Sequence, residues 1–239
     1  MARAAANQHA ALTAVEEHGI LLVYPITNRS QPNSLWHVLY PRSEMRWAWD
    51  QGADGRVVHL WHLRERLASS RAAVYAKWFR GRAVFLSRPL FVAMLAAART
   101  PSRDALHALS RESLELLSLL EDDSPQSSKT LRREAGLTGR HNEAVWTRAL
   151  RALWERLLIV GTGEVEDGAF PSLAIGSTRL IFEELWDEAQ AGPNDEQRAL
   201  LSRAFPPDSA FGKHWHRTLA RVQSLQSRAA ADATASGHG

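Results

Sequence analysis

Apolar residues recur along this chain in two rhythms, one of three to four residues and one of two. The first marks amphipathic helices and the second marks strands with one covered face. Ala10 to His18 reads as a helix closed by Gly19. ILLVYPI (20–26) is a short apolar run that Pro25 confines to a sheet edge or an extended lead-in. Ser34 caps a short helix, LWHVLY, which Pro41 stops. Met45, Trp47 and Trp49 alternate with polar or small residues, a strand-like pattern ending in a loop at Gly52 to Gly55. Val57, Val58, Trp61, Leu63 and Leu67 return to helical spacing. VYAKWF and RAVFL are β-prone runs joined by Arg80-Gly81, and Gly81 supplies the positive φ of a tight hairpin. Ser87, Arg88 and Pro89 then open the helix LFVAMLAAA.

The second half repeats this order. Ser110 caps SLELLSLLE, and Ser127 or Ser128 caps KTLRREAGL. Leu137-Thr138-Gly139 makes a turn of the helix-turn-helix kind. Asn142 starts a long helix with Trp146, Leu150, Leu153, Trp154 and Leu157 as its buried stripe. LLIVGTG (157–163) and FPSLAIG (170–176) are strands flanking EVEDGA, with Asp167-Gly168 as the turn. Helices follow over Thr178 to Ala191, Asp195 to Ala204 and Ala210 to Ala229. The expected fold is mainly α with small β-hairpins, an α+β chain of tandem winged-helix or helix-turn-helix modules. The expected division is 1–104, a winged-helix-like module with a basic hairpin; 105–176, a winged-helix domain; 177–228, a C-terminal helical segment; and 229–239, a disordered low-complexity tail.

Composition narrows the classes. No apolar run approaches the ~20 residues of a membrane span, and the N-terminus lacks the apolar core of a signal peptide. The chain has no cysteine, which excludes disulfides, thiolate zinc sites and a thiol nucleophile, and a reducing cytoplasm is the expected home. Net charge is only +3, but the basic residues are nearly all arginine, with lysine at 77, 129 and 213 alone. A GC-rich coding sequence accounts for that total, so placement is what informs.

Placement points to nucleic acid. The hairpin carries Lys77, Arg80 and Arg82 with no acid nearby, while Trp78 and Phe85 anchor it to its domain. In the second module, the face opposite the buried stripe presents Arg140, His141, Thr147, Arg148 and Arg151, where a recognition helix meets DNA. Lys129, Arg132 and Arg133 lie on the preceding helix, and residues 129–151 together form a local positive footprint. The acids of EVEDGA repel phosphate, so contact in this module falls to the helix rather than the wing. Double-stranded DNA is the expected partner. The alternative is a solvated helix surface on a fold used for protein contacts. His59 with His62, and His214 with His216, lack a third ligand, so no metal or cofactor is expected. The sequence is silent on oligomeric state.

Four segments carry a family resemblance: GILLVYPI, PNSLWHVLYP, VVHLWHLRERLASSRAAVYAKWFRGRAVFLS and SKTLRREAGLTG, spanning about 19 to 139. In that order they resemble the AlkZ-type DNA glycosylases and their shorter winged-helix relatives. The resemblance implies tandem winged helices with DNA in a concave cleft, and a link to repair of alkylated or crosslinked bases. In the glycosylases a Gln-x-Gln motif just ahead of the leucine-tryptophan helix acts on the excised base. Here the matching segment is Val23-Tyr24-Pro25-Ile26-Thr27, without glutamine, and it offers Tyr24 and Thr27 as its polar groups. Three readings follow: a DNA-binding relative without this catalysis, a glycosylase with an altered site, and a protein-interaction module or transcriptional regulator.

Overall fold

The structure, a computed structural model, describes residues 2–46, 54–101, 106, 109–169 and 171–236. Its first half runs α1 (Ala2–His18), β1 (Ile20–Leu22), α2 (Leu35–Leu39), α3 (Gly55–Ser70), β2 (Val74–Phe79), β3 (Arg82–Leu86) and α4 (Arg88–Ala97). The second half runs α5 (Arg111–Asp122), β4 (Gln126–Ser127), α6 (Ser128–Glu134), a 3-10 turn (Arg140–Asn142), α7 (Glu143–Glu155), β5 (Ile159–Val165) and β6 (Ser172–Ser177). Four helices close the chain: α8 (Thr178–Ile181), α9 (Glu183–Ala189), α10 (Asp195–Ala204) and α11 (Ala210–Ser236). The fold is mainly α with small antiparallel β elements, as the patterning implies.

Caps fall where short polar side chains precede apolar periodicity. Ser34, Ser87, Ser110 and Ser127 each accept a backbone N–H from the first turn of their helix, which satisfies a donor the helix itself cannot pair. The β2–β3 turn is the expected two-residue one, with Arg80 at φ 53° and Gly81 at φ 74°. All six strands join one antiparallel sheet in the order β1-β3-β2-β5-β6-β4, and the pair Tyr75–Gly161 links the halves. Gly161 is required there. A Cβ at this position would lie 2.2 Å from Cδ1 of the buried Tyr75 ring.

Two apolar clusters flank the sheet. One packs α1 to α3 against Tyr75 and Phe85; the other gathers α4, α5, α7 and the last helices around Trp78, Phe91 and Phe205. Trp78 and Phe85 are fully buried, as an anchoring role demands. Trp78 packs beneath α11, its ring centroid 4.7 Å from that of His214 and 6.3 Å from that of Trp215.

Four local expectations need correction. Met45 begins no strand, because the Asn28 side chain takes both its backbone groups, at 2.9 Å to its N–H and 3.0 Å to its carbonyl. The rest of that run, 47–53, lies outside the described residues. The helix expected from Thr178 to Ala191 breaks at Phe182 (φ −133°), whose buried ring packs against Phe91. The turn after β5 is wider than Asp167-Gly168, since pairing stops at Val165 opposite Ser172. Finally, α11 continues to Ser236, past the end expected for the last helix at Ala229; alanine-rich sequence has the highest helix propensity.

Candidate functional site

The β2 hairpin and the α6–α7 unit meet over the middle of the sheet and enclose an open pocket of about 350 Å³. Its floor is apolar, made by Trp146, Leu150 and Trp154 at helical spacing on α7, with Leu173 and Ile175 alternating on β6. Its rim is cationic: Lys77 comes from the first half, Lys129 and Arg132 from the second. Leu150 is only half-buried because its side chain forms part of this wall.

The cations differ in how they are held. Lys77 was expected beside the exposed hairpin tip. It is instead half-buried at the junction of the halves, because α7 packs across β2 next to it. Burial pushes its pKa down, and the nearby Arg64 guanidinium pushes it the same way. Lys129 donates to the Asp167 carbonyl at 2.7 Å. Arg132 donates to the Leu137 carbonyl at 2.8 Å, pairs with Glu143 at 2.8 Å and lies over the Trp146 ring. It therefore braces the turn between α6 and α7 as well as lining the pocket.

The remaining expected contacts are exposed. Arg80 and Arg82 stand at the hairpin tip, with Arg80 resting on the Phe79 ring. Thr147, Arg148 and Arg151 occupy the outer face of α7, and Arg140 and His141 lie exposed in the turn that leads into it. Glu155, at the end of the same helix, is neutralised by an ion pair with Arg221. The structure thus brings Lys77 and Lys129 to one pocket, keeps Thr147, Arg148 and Arg151 on one helix face, and leaves Arg80 and Arg82 at the separate tip.

The acidic β5–β6 connection is less repulsive than its sequence suggests. Glu164 is withdrawn into an ion pair with Arg64, and both side chains are about one-tenth exposed. Asp167 organises its own loop, accepting from Ser127 and from Ser172 at 2.6 Å, which holds its pKa below the ordinary carboxylate value. Glu166 alone of the three acids is exposed without such a role.

The Arg64–Glu164 pair belongs to a cluster that sequence reading missed. The Trp61 indole N–H donates to Glu164 at 3.1 Å, and the Arg64 guanidinium lies 4.4 Å over the Trp61 ring. Tyr24 and Tyr75 face the same guanidinium. Burial drives the Tyr24 hydroxyl up to about 12. The only signal in the sequence was Arg64 lying one position from the Leu60–Leu63–Leu67 stripe. The histidines serve structural ends: His59 bonds the Tyr40 hydroxyl, while His214 and His216 meet the carbonyls of Trp78 and Phe205. Among the described residues, no group of three His, Cys, Asp or Glu side chains could hold a metal ion. Also among them, no helix is long and apolar enough to cross a membrane.

The chain matches no curated protein and no solved structure. The profile of the family described as AlkZ related covers residues 5–201, most of the chain, and the protein therefore belongs to the AlkZ-related family.

Proposed function

We propose that this protein is a DNA-binding member of its family, built as two winged helices, that grips duplex DNA without performing base excision. The observation that carries the reading is the convergence of Lys77 from one half with Lys129 and Arg132 from the other, beside the exposed Arg148 and Arg151 of α7. Connectivity supports the winged-helix part. Each half runs helix, strand, helix, helix, hairpin, and the short strand pairs with the second hairpin strand: β1 with β3, and β4 with β6. In such modules the third helix presents its outer face to the major groove while arginines contact phosphates and guanines.

The segment matching the glycosylase motif favours binding over catalysis. Activating water needs a base with a pKa near the working pH and a path to the lesion. Tyr24 is half-buried with its hydroxyl shut off from solvent, and a pKa of about 12 holds it neutral. Thr27 is exposed, and its hydroxyl donates to the neighbouring Ile26 carbonyl. The test is a mobility-shift titration of intact duplex, followed by a base-release assay over alkylated and crosslinked duplexes. The expected result is a retarded duplex and no released base. Base release establishes the altered-site glycosylase instead. Failure to shift any duplex, with a mass that rises with concentration, establishes a protein-interaction module.

A further inference from the structure

The sheet order β1-β3-β2-β5-β6-β4 is symmetric about its centre, where Tyr75 pairs antiparallel with Gly161. Register shows how the halves correspond. Ser87 and Ser177 each precede the helix that leaves the sheet, so Leu86 corresponds to Gly176. The strand partners of those two residues are Val74 and Val160, which sets an offset of 86 (160 − 74) for α3 and the start of β2 onto α7 and the start of β5. The buried stripes agree: Leu60, Leu63, Leu67 and Ala68 fall on Trp146, Ala149, Leu153 and Trp154, all buried. In the short strands, Leu22 opposite Val84 corresponds to Ser127 opposite Ala174, an offset of 105 (127 − 22).

The open pocket therefore has a counterpart in the first half. Leu150 corresponds to Arg64 and Lys129 to Tyr24; because β5 shifts register between Gly161 and Gly163, Ala76 corresponds to Gly163 and Lys77 to Glu164. The counterpart is filled from within: Arg64 binds the Glu164 carboxylate, and the Tyr24 and Tyr75 rings close around them. The second pocket has no such occupant. The residue corresponding to Glu164 is Lys77, and it lines the pocket with Leu150 where Glu164 meets Arg64. Among the described residues, the charge acting on Lys77 is the like-signed Arg64. A half-buried cation without an acid is costly, and an anion from outside relieves that cost.

We infer that this pocket is a nucleoside-phosphate subsite, in which Lys77 and Lys129 take the phosphate and the base lies along Leu150 and Leu173. The inference rests on the DNA-binding reading above and deepens it: the nucleotide is either the unpaired terminal nucleotide of a strand or a free nucleoside monophosphate of the same chemistry. Five of the nine lining residues are apolar, which calls for a ring as well as an anion. The volume of about 350 Å³ exceeds what inorganic phosphate fills and lies within the roughly 300–1,000 Å³ of small-ligand sites. The half-buried Leu150 and Leu173 offer that ring its apolar contact, since Trp146 and Trp154 are buried and Arg132 covers the Trp146 face.

The test is calorimetric titration of the full chain with dTMP, dGMP, the parent nucleosides and inorganic phosphate. Both monophosphates should bind, with the nucleosides and phosphate each weaker by about tenfold or more. Lys77→Gln and Lys129→Gln should each weaken dGMP by about tenfold, while Lys213→Gln, exposed on α11, leaves it unchanged. A 5′-phosphorylated single strand that displaces dGMP identifies a strand end as the source; free nucleotide binding without displacement identifies the metabolite pool. Absence of monophosphate binding, or binding indifferent to both lysine variants in folded protein, overturns the inference. If duplex still binds in that case, only the subsite falls. If duplex binding is also absent, the DNA-binding reading falls with it.

Discussion

Removal of the Arg64–Glu164 pair is the sharpest perturbation of the junction between the halves. Both side chains are about one-tenth exposed, so neither charge can recover its hydration if its partner is deleted. At an effective dielectric of about 20, two unit charges about 4 Å apart attract by about 4 kcal/mol. Deleting one partner of such a buried pair costs about 3–5 kcal/mol, while replacing both with apolar groups is often neutral. Arg64→Leu also forfeits the stacking on Trp61, but leaves Glu164 the Trp61 N–H. Leucine suits the site, since the corresponding position in the second half is Leu150. Arg64→Leu and Glu164→Leu should therefore each lower stability by about 3–5 kcal/mol, and the double variant by about 1–2 kcal/mol rather than their sum. Urea unfolding followed by tryptophan fluorescence measures all four members of the cycle. Additive losses, or single losses below about 1 kcal/mol, would refute a buried, coupled pair.

Other consequences are equally specific. Gly161→Ala should cost about 1–3 kcal/mol through collision with the Tyr75 ring, part of it recovered by adding Tyr75→Leu, whereas Gly55→Ala, with nothing within 4 Å, should be neutral or stabilising; thermal unfolding compares them. His214 is buried and its pKa lies below the ordinary 6.5, because desolvation outweighs its bond to the Trp78 carbonyl. Neutral in the fold but protonated when unfolded below pH 6.5, it contributes stability that is present above that pH and lost as pH falls beneath it. His214→Gln should flatten the stability slope between about pH 7 and pH 5, and an unchanged slope would exclude His214 as its source. Asn28→Ala should cost about 1–3 kcal/mol, since both Met45 backbone groups lose their partner, and hydrogen exchange should rise at Met45.

Much of the element order was legible because local chemistry set it. Serine caps, the Arg80-Gly81 turn and the α7 stripe each follow from a few neighbouring residues. What patterning could not show was contact between distant segments. Asn28 reaching Met45 removed a strand, and Phe182 seated on Phe91 broke a helix. The candidate site divides the same way. Outward-facing Thr147, Arg148 and Arg151 follow from the periodicity of one helix, and all three are exposed. Lys77 could not be placed from its own hairpin, because its burial depends on α7 packing across β2. Glu164 reads as one acid of a wing, and only the three-dimensional pairing with Arg64 withdraws it from the surface.

The most direct measurement is the salt dependence of duplex affinity for the wild-type chain and for a variant with Arg80, Arg82, Arg148 and Arg151 reversed to glutamate. Each phosphate neutralised contributes about −0.9 to the slope of log K against log salt. The wild type should show a steep negative slope, and the variant should bind every duplex more weakly with a slope shallower by up to about 3–4. Affinity indifferent to salt, or the same slope in both proteins, would contradict a phosphate grip by these arginines.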